Sequence, residues 1–96
     1  MSYKFTTVET RQDLSVDFYM FPQIYLELAM PYRQNQKLIS TSMEYSDDML
    51  SLVRLVEWDS KESWQAFVDI PEVKQHLEIR DSYNALHNIT LVKTEL

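Results

Sequence analysis

The chain has 96 residues, with nine Lys and Arg against fifteen Asp and Glu, a formal net charge of −6 and 45% hydrophobic residues. This length suits one domain, residues 1–96, with a single modest core, and the hydrophobic content is too high for a disordered chain. Because phosphate binding needs clustered basic residues and those here are scattered, we expect no nucleic-acid partner.

Cysteine and glycine are both absent. Without cysteine, disulfides, thiolate metal sites and cysteine nucleophiles are excluded. Without glycine, a Walker loop or a Rossmann fingerprint cannot form, since both need close backbone approach to phosphate. We expect no cofactor and no metal ion. No apolar run reaches the ~18 residues that cross a bilayer, and the N-terminal segment lacks a signal-peptide core, so we expect a cytoplasmic protein without a membrane partner.

The first half of the chain predicts a strand and then a helix. Residues 3–9 alternate and are rich in strand formers. From Asp13, apolar residues recur at helical spacing and form one stripe: Leu14, Phe18, Phe21, Tyr25, Leu28 and Tyr32. Pro22 predicts a kink or break near Phe21, because a mid-helix proline removes a hydrogen bond, and Pro31 predicts the end of the helix.

A hairpin is predicted next. Residues 37–46 and 49–58 both alternate, and the Ser-Asp-Asp sequence at 46–48 provides the turn. The second arm is apolar on both faces, with Leu52 and Trp58 on one and Val53 and Leu55 on the other. A strand of this kind should be covered on both sides.

The remaining elements are two helical pieces and a strand. Asp59 and Ser60 are candidate caps for a helix that ends by Asp69. Pro71 suits the first position of another helix, which runs to about His87. Residues 89–96 then form the last strand.

The order β-α-β-β-α-α-β predicts an α+β ferredoxin-like plait, β-α-β-β-α-β in outline, in which a four-stranded antiparallel sheet carries the helices on one face. The first and third strands are central in this topology. The apolar outer side of the third strand then needs its own cover, and a second copy stacking sheet on sheet would provide it. We therefore expect a homodimer.

The strand-to-helix passage VRLVEWDSKESWQAFVDIPEV resembles the dimeric α/β-barrel superfamily that includes the antibiotic-biosynthesis-type monooxygenases. The resemblance implies two plaits paired into a barrel and a pocket between helices and sheet. Some members oxidise aromatic polyketides or quinols without a cofactor, some degrade haem, and others isomerise or dehydrate small molecules. The haem-degrading members use an Asn, a Trp and a His, and the matching places here hold Thr6 or Thr7, Phe67 or Trp64, and His76. The missing Asn argues against haem degradation.

His76 is a candidate catalytic base, because an imidazole titrates near neutral pH. His76 and His87 share a helix face, but eleven residues of helix separate them by about 16 Å, too far for one metal ion. The competing interpretation for both is an ordinary surface or half-buried histidine.

Trp64 is a candidate substrate-binding residue that, with Trp58, could form an aromatic wall for a flat ligand. Core or dimer-interface packing is the competing interpretation. Arg54 lies among apolar neighbours, where an unpaired guanidinium is costly, so it either pairs with an acidic residue such as Glu57 or Glu44 or meets an anionic ligand.

Tyr83 and Asn84 form a polar cluster with Arg80 and Asp81. Tyr83 as a catalytic residue and Asn84 as a substrate-binding residue could position and polarise a phenolic substrate. A solvated helix face is the competing interpretation.

Two functional hypotheses follow. The first is a cofactor-independent monooxygenase-like enzyme, or a binder of a small aromatic or quinone-like molecule, with a pocket formed by Arg54, Trp64, His76 and Tyr83. The second is a non-enzymatic protein–protein interaction or assembly module of the same fold. A closed, water-free pocket of about 300 Å³ or more beside the helices would favour the first. A filled core with an exposed apolar patch would favour the second.

Overall fold

The structure is a computed structural model that describes residues 2–96. Its elements follow the order β1 (Tyr3–Thr10), α1 (Gln23–Gln34), β2 (Leu38–Tyr45), β3 (Ser51–Trp58), α2 (Lys61–Val68), α3 (Pro71–Leu86) and β4 (Thr90–Glu95). The strands form one antiparallel sheet in the order β2-β3-β1-β4. The predicted ferredoxin-like fold, with the first and third strands central, is confirmed.

The predicted start of the first helix at Asp13 is wrong. Residues 11–22 are irregular, and α1 begins at Gln23, with Pro22 in an extended conformation (ψ 164°) at its N-cap. A proline disfavours helical geometry at the residue before it, so the apolar stripe upstream of Pro22 does not become helix. Pro31 does not end α1 either, because the helix continues through it to Gln34.

The irregular segment is fixed by Arg11. Its guanidinium donates hydrogen bonds to the carbonyl oxygen of Met49 at 2.7 and 3.1 Å and to that of Val16 at 2.8 Å. It also lies 4.6 Å from the ring centroid of Phe18. Phe18 is buried with Leu52 and Ile89 in a small core cluster at this end of the sheet.

The main core lies at the other end of the sheet, beneath α2. Its buried members come from strands and helices alike: Tyr3, Phe5, Leu38, Trp58, Phe67 and Val73. Residues from α1 and α3 pack around these, partly buried. Beside this main cluster the space between sheet and helices is not fully filled, and it forms the candidate site.

Within the described part of the chain, no helix covers the outer face of the sheet. Val8 pairs with Val53 on one side and with Val92 on the other, so three valines form a row across the central and edge strands. Leu55 and Val92 are 39% and 60% exposed in the single chain. Among residues 2–96, no helix is both long and apolar enough to cross a bilayer.

Candidate functional site

A cleft of about 740 Å³ lies between the sheet and the helices. Its sheet side comes from all four strands and its roof from the three helices and the end of the irregular segment. The lining residues are Phe5, Thr7, Met20, Phe21, Tyr25, Leu26, Ala29, Met30, Arg33, Leu38, Thr41, Ser42, Met43, Arg54, Val56, Trp58, Trp64, Phe67, Val68, Leu77, Arg80, Leu91 and Lys93. We refer to this space as the cleft.

The cleft opens to solvent beside α1. Met20, Leu26 and Met30, on the helix side of this opening, are 48–51% exposed, and Met43 on β2 is 53% exposed. Unbranched methionine side chains adapt to ligands of different shape. The opening is therefore wide and apolar enough to admit a small hydrophobic molecule.

Aromatic rings form much of the wall, and both tryptophans of the chain belong to it. Trp64 lies with its ring centroid 5.9 Å from that of Phe5, nearly edge to face. Trp58 lies 5.4 Å from Phe67, which lies 5.8 Å from Tyr25. Such walls suit flat aromatic ligands, which can offer either a ring face or a ring edge.

Trp64 is placed by a capped helix. The side chain of Ser60 accepts a hydrogen bond from the backbone N–H of Ser63 at 3.1 Å, which fixes the start of α2 directly after β3. Glu62 in the first turn favours the same helix end through the helix dipole. The short connection leaves Trp64 one turn into the helix, above the helix-facing side of β1.

Arg54 lies in the cleft wall and pairs with an acidic residue, as predicted, but the partner is neither of the two examples, Glu57 and Glu44. Its guanidinium forms an ion pair with Glu9, whose side chain is fully buried. Glu9 also accepts a hydrogen bond from Asn84 at 3.1 Å, so each carboxylate oxygen has a donor. Both predicted partners fail for a geometric reason: Glu57 and Glu44 alternate onto the opposite face of the sheet from Arg54.

Asn84 is therefore buried in the protein interior and does not line the cleft, so it cannot contact a ligand there directly. Its amide nitrogen donates a hydrogen bond to Glu9, while its Oδ1 atom is buried and has no hydrogen-bond partner among residues 2–96. Asn84 and Arg54 hold the same carboxylate from opposite sides, so α3 is tied to β1 and β3 at this point.

His76 lies between α3 and α1, outside the cleft wall. Its ring meets that of Tyr25 edge to face, with the ring centroids 5.8 Å apart. Its Nδ1 atom is buried and has no hydrogen-bond partner in the part of the chain that the structure describes. Tyr25 itself lines the cleft, and burial raises the pKa of its hydroxyl, an effect partly offset by the positive charges of Arg80 and Arg54.

Tyr83 lies at the irregular segment. Its hydroxyl donates a hydrogen bond to the carbonyl oxygen of Asp17 at 2.6 Å, and its ring packs 4.3 Å from that of His87. Of the five candidate site residues, the structure brings Arg54 and Trp64 to the cleft. His76, Tyr83 and Asn84 lie outside the cleft wall.

Two residues of the site were missed in the sequence. Glu9 follows Tyr3, Phe5 and Thr7 on one strand face, so the period-two pattern already placed its carboxylate inside. Lys93 is on β4, where it pairs with Thr7 of β1, and it lines the cleft. Its ammonium lies 3.7 Å from the ring centroid of Trp64. Strand alternation in the sequence assigns the Lys93 side chain to one face of the sheet. Only the tertiary structure shows that Trp64 of α2 packs against it on that face.

No group of three or more His, Cys, Asp or Glu side chains suited to a metal ion occurs within residues 2–96. The polar chemistry of the cleft thus comes mainly from cationic and hydroxyl side chains.

No known protein-family model and no curated protein matches the chain. Solved structures do match over nearly its whole length. A variant of SnoaB, a cofactor-independent oxygenase from Streptomyces nogalater, is 11% identical, with a TM-score of 0.69 over 99% of this chain and 90% of that one. A conserved protein of unknown function from Bacteroides thetaiotaomicron is 14% identical, with a TM-score of 0.62 over 99% and 97% of the two chains.

An antibiotic biosynthesis monooxygenase is also similar, at 12% identity and a TM-score of 0.54 over 97% of each chain. At these identities the similarity concerns the fold. It confirms the resemblance derived from the sequence. The chain has the ferredoxin-like α+β fold of the antibiotic-biosynthesis-monooxygenase-like proteins.

Proposed function

We propose that the chain binds a flat aromatic molecule in the cleft and oxidises it with molecular oxygen, without a cofactor. The size and lining of the cleft carry this proposal. Its volume of about 740 Å³ lies within the usual range for small-molecule sites, roughly 300–1,000 Å³. The similarity of the fold to SnoaB, described as a cofactor-independent oxygenase, supports the oxidative part.

As the test reaction we take the oxidation of an anthrone, a flat phenolic ring system with an acidic CH₂ group. The ring CH₂ group becomes a carbonyl; one O₂ is consumed, one of its oxygen atoms enters the product, and the other leaves as water with the two ring hydrogens. The substrate gives up a proton before it reacts with O₂, so its anion must be stabilised. Several cationic side chains line the cleft, and positive charge is suited to that task.

The catalytic roles of His76 and Tyr83 and the substrate-binding role of Asn84 remain predictions. None of the three lines the cleft, so a direct role would require their side chains or the ligand to move. The cytoplasmic location expected from the sequence also remains part of the proposal.

We further propose that two copies pack through the outer faces of their sheets. The row of Val8, Val53 and Val92 supports this, because apolar side chains on an uncovered sheet face gain free energy when water leaves them. The competing hypothesis, an interaction module without an active site, would use the same face.

Oxygen uptake with a dihydroxyanthrone tests the enzymatic proposal. We expect the chain to consume O₂ faster than the anthrone does alone, with one anthraquinone formed per O₂. Trp64→Ala should lower the rate about tenfold, because the substrate loses its stacking partner. Leu86→Ala is the control, since Leu86 is 77% exposed and does not line the cleft.

Quenching of tryptophan fluorescence by anthraquinone measures binding separately, because both tryptophans line the cleft. Quenching without oxygen uptake above the background rate would contradict the oxidative part alone. A chain that shows neither would support the interaction module.

A further inference from the structure

The charges that line the cleft are all of one sign. The chain has a net charge of −6, yet four of its nine basic residues and none of its fifteen acidic residues, among those that the structure describes, lie in the cleft wall. The four are Arg33, Arg54, Arg80 and Lys93. A concave apolar surface lined by one sign of charge concentrates the field and attracts the opposite charge.

Three of these cations already have partners. Arg54 is neutralised by the buried Glu9. Arg80 donates two hydrogen bonds, of 3.0 and 3.1 Å, to Asp81. Arg33 donates one hydrogen bond, of 3.3 Å, to Thr41 and is exposed.

Lys93 is exposed and without an ion pair in the described part of the chain, as Arg33 is, but it alone of the four lies against the Trp64 ring. Among the described residues it has no acidic group within salt-bridge distance, because Glu95, two residues further along β4, pairs with Lys61 at 3.6 Å. The Lys93 ammonium instead lies 3.7 Å from the ring centroid of Trp64, 4.5 Å from that of Phe5 and 5.5 Å from that of Tyr3. One end of the cleft therefore combines an aromatic wall with an ammonium group that forms no ion pair within residues 2–96.

Lys93 is an exposed residue, and the rings beside it cover only part of its side chain. Burial lowers the pKa of Lys93 below its ordinary value, with Glu95 partly opposing the shift and Lys61 adding to it. The rings of Trp64, Phe5 and Tyr3 attract the cation but supply no full negative charge. A bound anion would supply that charge, while its aromatic body would occupy the apolar space beside it.

We propose that the natural ligand of the cleft is an aromatic carboxylate whose carboxylate group binds Lys93 beside Trp64. The inference rests on the proposed function, because it names the class of aromatic molecule that the cleft takes. Thr7 lies between Lys93 and Arg54 in one row across three strands. The ring system of the ligand would extend along this row from Lys93 towards Arg54.

The test compares two ligands of the same shape, an anthraquinone carboxylate and its uncharged hydroxymethyl analogue. Their dissociation constants are measured by tryptophan quenching and by titration calorimetry. We expect the carboxylate to bind about tenfold more tightly, the size of effect that a hydrogen bond to a charged group produces.

Lys93→Met should remove this preference by weakening the carboxylate about tenfold while leaving the uncharged analogue unchanged. Lys93→Arg should keep the preference. Lys74→Met is the matched control, since Lys74 pairs with Asp69 on the surface and lies outside the cleft wall.

Equal affinities of the unmodified chain for the two ligands would overturn the inference. So would a Lys93→Met variant that weakens both ligands equally, because the lysine would then contribute packing rather than charge. If neither ligand binds, the proposed function fails at its first step and the inference fails with it. If only the uncharged ligand binds, the proposed function survives and the inference does not.

Discussion

At the scale of single residues, the most constrained group in the molecule is the carboxylate of Glu9. It is fully buried, and its two oxygens accept hydrogen bonds from Arg54 on β3 and Asn84 on α3. A buried charge of this kind is tolerable only while its partners are in place. The network therefore fixes the position of the Arg54 guanidinium in the cleft.

Glu9→Ala should lower the free energy of unfolding by about 3 kcal/mol, because Arg54 would remain largely buried without a counter-charge. Urea denaturation followed by circular dichroism measures the change. The double variant Glu9→Leu with Arg54→Met should recover most of the loss, since both charges are then replaced by apolar groups.

Glu57→Ala is the control for the Glu9 experiment. Glu57 lies on the opposite face of the sheet and forms no ion pair among the described residues, so we expect a change of about 0.5 kcal/mol or less. A Glu9→Ala variant as stable as Glu57→Ala would show that the ion pair with Arg54 does not support the fold.

At the scale of elements, the turn from β3 into α2 decides where the aromatic wall stands. Trp58 ends the strand, Ser60 caps the helix and Trp64 lies one turn further on. Because only two residues separate the strand from the helix, the cap sets the angle at which Trp64 meets Phe5 and Tyr3.

Ser60→Ala should lower the free energy of unfolding by about 1 kcal/mol, because the backbone N–H of Ser63 loses its acceptor. Ser60→Asp should be close to the unmodified chain, since a carboxylate caps a helix equally well. Thermal and urea denaturation measure both variants. Equal losses for alanine and aspartate would mean that the hydroxyl acts through some contact other than the cap.

At the scale of the whole molecule, the uncovered outer face of the sheet is the main apolar surface not explained by the single chain. It lies opposite the cleft, so a second copy seated there would leave the cleft opening beside α1 accessible. A barrel made from two sheets would also hold the β1 and β3 strands rigid beneath the site.

Light scattering should give twice the chain mass of 11.5 kDa at micromolar concentration. Leu55→Lys should give the single mass, because a lysine at the centre of the outer face would be buried between copies without a partner. Leu86→Lys makes the same change on exposed α3 and should leave the dimer intact. An unmodified chain that scatters as a monomer would contradict the proposed pairing.

The sequence alone determined the strands, the two later helices and their order, because alternation, capping residues and Pro71 act locally. It also carried enough pattern for the ferredoxin-like fold and for placing Trp64 and Arg54 at a pocket. The predicted start of the first helix was wrong because two local signals compete there. The apolar stripe from Leu14 favours a helix, but Pro22 delays the start of α1 to Gln23.

Tertiary structure decided which charges meet. Glu9 and Arg54 are 45 residues apart in the chain, and Glu9 and Asn84 are 75 apart, so no local spacing could pair them. The same holds for Lys93 and Trp64, which come together only because β4 lies beside β1 and α2 packs above both strands. Side-chain periodicity is a property of neighbouring residues, whereas the partner of a buried charge is set by how distant strands and helices pack.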